Sequence, residues 1–562
     1  MPGTIIAGAL GNCVHVAGAA GFLRIAEQLG YETVFLGAAV PVDVFVDAVE
    51  RHRPEIVGVG YRLTPDVGEG LLSQLKASLE QRGLTDTRFV FGGTPPMCEL
   101  AKGAGWFERC FSGLENPEEV WAYLRGEEFV PGSDSLGHTL LERMGRKYPY
   151  PLLRHHFGLP SLEETVDGVR KIAQSGTVDV ISIAPDQNAQ ESFFRPGEMD
   201  ASLNGAGGVP VRTSDDLTAI YKASRCGNHP LLRIYSGTRD LISWAQMATE
   251  TISNAWAAVP LCWYSGLDGR SKRTPQEAIA ENQAAMAWHA QRRIPVEVNE
   301  PHHWALRDSH DVISVVMAYL SAYNARRMGV SQYVAQYMFN TPPGISPEMD
   351  LAKILAQIEL VESLHGPEFT SVRQVRAGLL HLSPRLAVAK GQLAASTVVA
   401  LAVAPHIIHV VGYCEGDHAA TADEVIESCE IVSGVLKNCH GRMHSLVDST
   451  AVNNRKREIL EDAELVLTAL NGLREGDEDP LACPQSIAKA ISLGILDAPH
   501  LRGNPYARGR LCTRIVDGAV LCVDPASGAV ISEKERLEGL SLSALCGSAP
   551  ADRQKSLEPA VS

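Results

Sequence analysis

The chain has 562 residues, too many for one ordinary core at roughly 150 residues per domain. Hydrophobic residues make up 45% and charged residues 21%, which excludes a disordered, collagen-like or coiled-coil protein. The net charge of −16 and the absence of a Lys/Arg-rich run exclude an electrostatic footprint for nucleic acid or for anionic membranes.

Cysteine usage and the N-terminus indicate the compartment. Twelve cysteines occur without a Cys-x-x-Cys pair, so neither a zinc ribbon nor a thioredoxin-type centre is indicated, and we predict reduced thiols. The N-terminus lacks a basic region followed by a long apolar stretch, and the apolar run Leu393–Val403 is too short to span a bilayer. We therefore expect a cytoplasmic protein, either a monomer or a homodimer.

Residues 1–126 alternate short apolar runs with amphipathic stretches, which predicts a doubly wound parallel sheet. Five strands in this length are typical of a flavodoxin-like domain, whose ligands bind beyond the carboxyl ends of the strands. The predicted strands are Thr4–Leu10, Glu32–Leu36, Ile56–Tyr61, Arg88–Phe91 and Arg109–Phe111.

Residues 127–150 lack a clear period and are predicted to be a linker. Residues 151–452 contain eight strand-like runs separated by helical patterns, which predicts a (β/α)8 TIM barrel with its chemistry at the carboxyl ends of the strands. Residues 453–562 are expected to form a helix and strand extension that packs on the barrel. The eight runs are Pro151–His155, Val178–Ala184, Leu231–Tyr235, Ala257–Tyr264, Pro295–Val298, Gln332–Met338, Thr370–Val375 and Ile407–Tyr413.

Three strand ends of the first domain carry residues suited to a ligand. His15 follows the first strand, where a neutral imidazole is a candidate metal ligand, although the histidine taken alone is more often a capping or solvated one. Tyr61-Arg62-Leu63 ends the third strand and Gly92-Gly93-Thr94 the fourth. Paired glycines permit close approach of a bulky ligand, but a tight turn also requires them.

Together these loops resemble the cobalamin-binding module, with Cys13-x-His15-x-x-Gly18, Tyr61-x-Leu63 and Gly92-Gly93 in the order of its motifs. The resemblance implies that His15 is the axial ligand of cobalt. Cys13 stands where the module has an aspartate that orients the imidazole, and Tyr61 where it has a serine. The cofactor-binding residues implied are Cys13, His15, Gly18, Tyr61, Leu63, Gly92, Gly93 and Thr94.

The resemblance extends along the chain to the glutamate mutase (methylaspartate mutase) family. Residues 1–126 resemble its small subunit and 150–545 its large barrel subunit, fused here in one chain. The barrel resemblance rests on Gly237-Thr238-Arg239-Asp240, Ser253-Asn254 and the stretch 489–499. It implies adenosylcobalamin held between the sheet crevice and the barrel mouth, and an adenosylcobalamin-dependent radical isomerase.

The residues that hold glutamate in that family are mostly replaced. Arg154 matches one arginine of the family's carboxylate-binding claw, but the other two positions fall near Gln190 and on Tyr235. The partner of the substrate ammonium falls on Ala255, and a lysine that contacts the adenosyl group falls near Gly412. A buried carboxylate without its partner is unfavourable by about 3–5 kcal/mol, so we expect a different small polar substrate.

Other polar residues are expected at the barrel mouth. Alternation along the fifth strand places Glu297 and Asn299 on one side, where they could share a ligand or satisfy other barrel residues. The candidate catalytic residues are Arg154, Tyr235, Tyr264, Glu297 and Asn299. A metal-dependent hydrolase is disfavoured because no His-x-His spacing is present. A corrinoid methyl-transfer enzyme and a non-catalytic cobalamin-binding protein stay open.

Overall fold

The computed structural model describes residues 3–545 except 114, 116, 129–135, 236, 378–381, 440–443, 475 and 477. The chain is divided into two compact units, Met1–Ser135 and Leu136–Ser562. Residues 129–135 of the predicted linker and 546–562 of the predicted extension lie outside the described residues.

The first unit is a five-stranded parallel sheet with helices on both faces. The strand order is β2-β1-β3-β4-β5, and buried side chains from alternate positions of the strands form an apolar core on each face. The predicted flavodoxin-like class is confirmed. The strands are β1 (Thr4–Leu10), β2 (Glu32–Val40), β3 (Ile56–Tyr61), β4 (Arg88–Gly93) and β5 (Arg109–Phe111), and the helices are α1 (Ala17–Gln28), α2 (Val42–His52), α3 (Pro65–Gln81), α4 (Pro95–Ala104) and α5 (Pro117–Arg125).

The second unit contains a nearly closed barrel of eight parallel strands, which confirms the predicted TIM barrel. The order is β8-β7-β6-β13-β12-β11-β10-β9, and the Ala255 N–H donates to the Leu232 carbonyl, at 2.9 Å, between its two end strands. The strands are β6 (Leu152–Phe157), β7 (Val180–Ile183), β8 (Leu231–Ile234), β9 (Ala257–Val259), β10 (Val296–Val298), β11 (Gln332–Phe339), β12 (Thr370–Ala377) and β13 (Ile407–Val410).

Helices separate the barrel strands, and several begin at a Ser or Thr that caps them. Thr213 and Thr274 each form a capping box with the acidic residue three positions on, which satisfies first-turn N–H groups. The helices are α6 (Leu140–Lys147), α7 (Leu162–Ser175), α8 (Gln187–Ser192), α9 (Ser214–Ala223), α10 (Leu241–Ile252), α11 (Pro275–Gln291), α12 (Pro301–Ala305), α13 (Asp311–Arg327), α14 (Pro347–Glu362), α15 (Leu386–Ala400) and α16 (Ala422–Cys439).

Part of the predicted linker is a barrel element. Helix α6 contributes Leu140, which is 1% exposed and clusters with Leu152, Val180 and Ile407 at the amino ends of the strands. Arg143 of the same helix donates to the carbonyl oxygens of Asn228 and His229. The segment lacked a clear period because a two-turn helix that covers the bottom of a barrel buries only one or two side chains.

The barrel interior is built in layers because alternate residues of each strand point inward. The bottom layer is apolar and includes Leu152, Val180, Leu231, Val334, Val372 and Ile407. Two residues further along the same strands stand buried polar residues: Arg154, Ser182, Arg233, Gln336, Gln374 and His409. The barrel therefore changes from apolar to polar toward the carboxyl ends of its strands.

The C-terminal part packs on the outside of the barrel. Helix α18 runs along α13 and α14, with Arg455 paired to Asp311 and Lys456 to Glu359. The remaining elements are α17 (His444–Val447), α18 (Thr450–Asn471), α19 (Pro484–Leu493), the antiparallel pair β14 (Thr513–Val516) and β15 (Ala519–Cys522), and α20 (Glu533–Leu545).

One stretch, Leu386–Val403, is long and apolar enough to cross a membrane by length and composition. It comprises α15 and the short 3-10 turn that follows, and 44% of it is buried inside the protein. Since α15 packs on β12 and α16, it is the helix that connects two neighbouring barrel strands.

Candidate functional site

Three loops meet at the carboxyl edge of the first sheet. The strand order places β3 between β1 and β4, with Ala9 paired to Gly60 and Tyr61 paired to Gly93. The loops that follow these three strands are therefore neighbours. In an open α/β sheet this edge is where ligands bind.

His15 lies exposed in the first of these loops, and one of its ring nitrogens faces a buried thiol. Cys13 Sγ lies 3.8 Å from His15 Nδ1 and also accepts the Arg62 N–H at 3.4 Å. Cys13 has no exposed surface, and its carbonyl accepts the Ala39 N–H. The neutral tautomer that donates from Nδ1 toward sulfur carries its lone pair on Nε2, the form that binds a metal.

The glycines at this edge of the sheet, in the first turn of α1 and at the end of β4, have two different environments. A Cβ at Gly18 or Gly92 would meet no atom within 4 Å, so space is open above both. A Cβ at Gly93 would lie 2.6 Å from the Tyr61 carbonyl oxygen, which means that Gly93 is required by strand packing. Leu63 and Thr94 are half-buried beside them.

Tyr61 is fully buried and presents no surface to a ligand. Its hydroxyl donates to Asn12 Oδ1 at 3.4 Å, and its ring lies against Gly68, where a Cβ would come within 2.9 Å of Cε1. Burial raises the pKa of this phenol. A groove of about 460 Å³ lies beside the loop, lined by Gly11, Asn12, Pro41, Val42, Asp43, Val67, Leu71, Gln74 and Ser78.

In the barrel, the fully buried Arg154 is the centre of a polar network. Its Nε donates to Ser182 Oγ at 2.6 Å and its Nη1 to Gln374 Oε1 at 2.8 Å. Its Nη2 lies 2.8 Å from His156 Nε2. Because a guanidinium only donates, His156 accepts at Nε2, and its neutral ring carries the proton on Nδ1.

Arg154 and a second arginine, Arg233, both face the carboxylate of Glu297. Glu297 Oε2 lies 3.5 Å from Arg233 Nη2 and 3.9 Å from Arg154 Nη1, and it accepts the Trp256 indole N–H at 2.7 Å. All of these side chains are buried. Among the described residues, neither Arg233 Nε nor Glu297 Oε1 has a hydrogen-bond partner.

The next layer toward the mouth contains His156, Tyr235 and Arg376, and it contacts His409 of the Arg154 layer. The Tyr235 hydroxyl lies 2.8 Å from His156 Nε2, and the rings of His156 and His409 are 4.5 Å apart. Burial lowers the pKa of both imidazoles well below the usual range, and the nearby Arg376 guanidinium lowers it further. These histidines are therefore neutral, and burial raises the pKa of Tyr235.

Tyr264 belongs to a neighbouring aromatic cluster. Its ring packs edge-on against His303, with Arg270 over its face at 4.7 Å, and burial raises its pKa to about 12. Asn299 follows β10 and is 2% exposed, and its Oδ1 has no partner among the described residues.

Three of the five predicted catalytic residues, Arg154, Tyr235 and Glu297, thus belong to one network. Within the part of the chain that the structure describes, Asn299 and Tyr264 form no hydrogen bond or ion pair with this network. Sequence reasoning placed no role on Arg233, although it stands two residues before Tyr235 and alternation puts both on the inner face. It also missed the inward-facing Ser182, His156, Trp256, Gln374 and His409. Ala255, matched to a substrate-binding position, lies in the apolar bottom layer instead.

No protein-family model matches the chain. Among solved structures, a cobalamin-binding protein from Desulfitobacterium hafniense DCB-2 is 26% identical, and the match covers 19% of this chain and 52% of that chain at a TM-score of 0.18. The cobalamin-dependent S-adenosylmethionine radical enzyme OxsB, in its apo form, is 11% identical over 77% of this chain and 56% of its own, at a TM-score of 0.18. The chain spans about half the length of these structures.

Proposed function

We propose that this protein is a cobalamin-dependent radical enzyme, an isomerase that acts on a small anionic substrate other than glutamate. The observation that carries the proposal is His15, exposed at the sheet edge with Nδ1 against Cys13 and with open space above Gly18 and Gly92. Adenosylcobalamin, when bound, supplies an organic radical that takes a hydrogen atom from the substrate.

The residues of the first unit fit a corrinoid in part. An imidazole with its lone pair on Nε2 is a nitrogen donor of the kind that cobalt accepts, and the open glycines leave room for a large ring. Tyr61 departs from the module because its ring is buried against Gly68. The groove lined by Asn12 and Val67 offers other space beside the loop for the remainder of the cofactor.

The barrel supports an anionic substrate. Arg154, Arg233 and Arg376 place three guanidinium groups in its polar layers, whereas the nearby carboxyl groups are two, those of Glu297 and Glu415, and the imidazoles are neutral. Uncompensated buried charge is unfavourable, so a substrate carboxylate that pairs with Arg376 and Arg233 would stabilise the site. We assign Glu297 to the orientation of the arginine pair and Tyr235 and Asn299 to polar contacts with the substrate.

Corrinoid methyl transfer is the second candidate, and one contact favours it. A Cβ at Gly412 would lie 3.2 Å from His155 Nε2, so His155 crowds the position that the adenosyl-contacting lysine has in the resembled family. The barrel position of α15 supports a cytoplasmic location, and we propose a monomer or homodimer as the working unit.

Corrinoid retention tests the proposal. The full chain is incubated with adenosylcobalamin or methylcobalamin, passed over gel filtration and examined by visible spectroscopy. We expect retention by the wild type and an altered axial-ligand spectrum in His15→Ala. His52→Ala is the matched control, since His52 ends α2 and so lies at the opposite edge of the sheet.

Failure of the wild type to retain corrinoid would overturn the proposal, and an unchanged spectrum in His15→Ala would overturn the axial assignment. The reconstituted protein is then incubated with glutamate, and methylaspartate is sought by mass spectrometry beside a glutamate mutase control. We expect no comparable turnover, because Tyr235, an uncharged side chain, stands where the resembled family has an arginine for a substrate carboxylate. Preference for the adenosyl over the methyl form separates the two candidate reactions.

A further inference from the structure

The loop after β13 brings together a thiol, an imidazole and a carboxylate. Ligand atoms of Cys414, His418 and Glu424 all lie within 4.8 Å of one another. Cys414 is fully buried, His418 is 42% exposed and Glu424 is 17% exposed. The sulfur thus forms the floor of the cluster, and the imidazole side is open to solvent.

The backbone of this loop holds the three side chains together. The N–H groups of Asp417 and His418 both donate to the Cys414 carbonyl, at 2.8 and 2.9 Å. Glu424 lies in the first turn of α16, and its Oε2 accepts the Thr421 N–H and hydroxyl at 2.9 and 2.8 Å. Its other oxygen, Oε1, is consequently directed to His418 Nε2 at 2.8 Å.

The second nitrogen of the imidazole also faces a carboxylate. Asp417 Oδ2 lies 2.8 Å from His418 Nδ1. Histidines that bind a metal through one nitrogen usually donate the other N–H to a carboxylate, which fixes the tautomer and the ring orientation. Asp417 therefore stands where such an orienting group is needed, while Nε2 faces Glu424.

We propose that Cys414, His418 and Glu424 bind one zinc ion, with Asp417 as the orienting residue and solvent in the fourth position. Thiolate, imidazole and carboxylate are the ligand types that zinc accepts in tetrahedral sites. Coordination releases two protons to solvent, that of the Cys414 thiol and that of His418 Nε2, and replaces the hydrogen bond from Nε2 to Glu424. None of these residues belongs to the Arg154 network, and the site does not depend on a corrinoid.

Zinc content measures the proposal directly. The full chain is treated with a chelator, dialysed against micromolar zinc and analysed by atomic emission, and we expect one zinc per chain. Cobalt(II) added instead of zinc gives a difference spectrum, in which a thiolate ligand produces a near-ultraviolet charge-transfer band. Neither readout depends on catalytic activity.

Variants assign the site. Cys414→Ser and His418→Ala are expected to lose the zinc, and Cys414→Ser to lose the charge-transfer band. Asp417→Asn should keep the band and bind zinc about 10- to 100-fold more weakly. Cys439→Ser, in the same helix as Glu424, is the control that leaves binding unchanged.

His418→Ala decides the question if Cys414→Ser fails to fold, because His418 is at the surface. A wild type without stoichiometric zinc would mean that His418 is only an ion-paired imidazolium between Asp417 and Glu424. Zinc retained equally by Cys414→Ser and His418→Ala would place the ion elsewhere. Either result overturns the proposal.

Discussion

The two candidate ligand regions are built in opposite ways. In the first unit, His15 is exposed and its Nδ1 lies 3.8 Å from the Cys13 thiol. Glycines leave the surrounding space open. In the barrel, by contrast, the single side chain of Arg154 contacts three others, those of Ser182, Gln374 and His156. The first region is a largely backbone surface with open space beside it, whereas the second is a network of side chains already oriented by one another.

Acidification should produce the largest difference in stability between the two regions. Burial lowers the pKa of five barrel histidines, to about 4 for His155 from an ordinary 6.5. These rings are neutral in the folded protein. Their contribution to the free energy of unfolding is therefore complete above pH 6.5 and is lost as the pH falls toward 4. For His155 alone the loss is about 3 kcal/mol of unfolding free energy.

Hydrogen-exchange mass spectrometry at pH 7.5, 6 and 5 can follow peptides of each unit separately. We expect steep loss of protection in barrel peptides and little change around His15. His155→Asn keeps a donor toward the His156 carbonyl but removes the titrating ring, so it should flatten the pH dependence. Equal slopes in both units would contradict the prediction.

Removal of the shared carboxylate should have the next largest effect. Glu297→Gln still accepts the Trp256 N–H but leaves Arg154 and Arg233 without a counter-charge, and we expect a loss of about 3–5 kcal/mol. Urea unfolding of the barrel measures it. Glu430→Gln, on the exposed face of α16, is the control and should stay within about 0.5 kcal/mol. Equal stability of the two variants would show that the arginines need no carboxylate.

The sequence predicts these two regions unequally. Strand alternation and loop positions located both sheets, and His15 and the glycines could be proposed from short motifs because each motif lies within a few residues of one strand end. Arg233 belongs to no sequence motif, and its role depends on Glu297, which comes 64 positions later in the chain. Only the closed barrel brings the two side chains together. Helix α6 was missed for the same reason, since Leu140 is apolar in a polar segment and its partners belong to distant strands.

Adjacent glycines of the first unit offer a matched pair with a smaller effect. A Cβ at Gly93 would lie 2.6 Å from the Tyr61 carbonyl oxygen, so Gly93→Ala should destabilise the first unit by about 1–3 kcal/mol. Gly92→Ala meets no atom within 4 Å and should keep stability within about 0.5 kcal/mol while it reduces corrinoid retention. Denaturant unfolding and gel filtration of both variants check this. Full corrinoid retention by Gly92→Ala would mean that the ligand does not use this space.

The smallest effect is expected at Cys13. Sulfur is a weak acceptor and lies 3.8 Å from His15 Nδ1, so the contact orients the imidazole only loosely. Cys13→Ala should therefore weaken corrinoid binding by less than about tenfold, the low end of what the loss of an orienting partner does to metal affinity. Cys13→Asp places a carboxylate beside the same nitrogen and raises the donor strength of Nε2, so it should bind more tightly than Cys13→Ala. Equilibrium titration with cobalamin ranks the two variants against the wild type. If Cys13→Ala binds as weakly as His15→Ala, the thiol is an essential part of the ligand site, and the first unit depends on an oriented side chain as the barrel does.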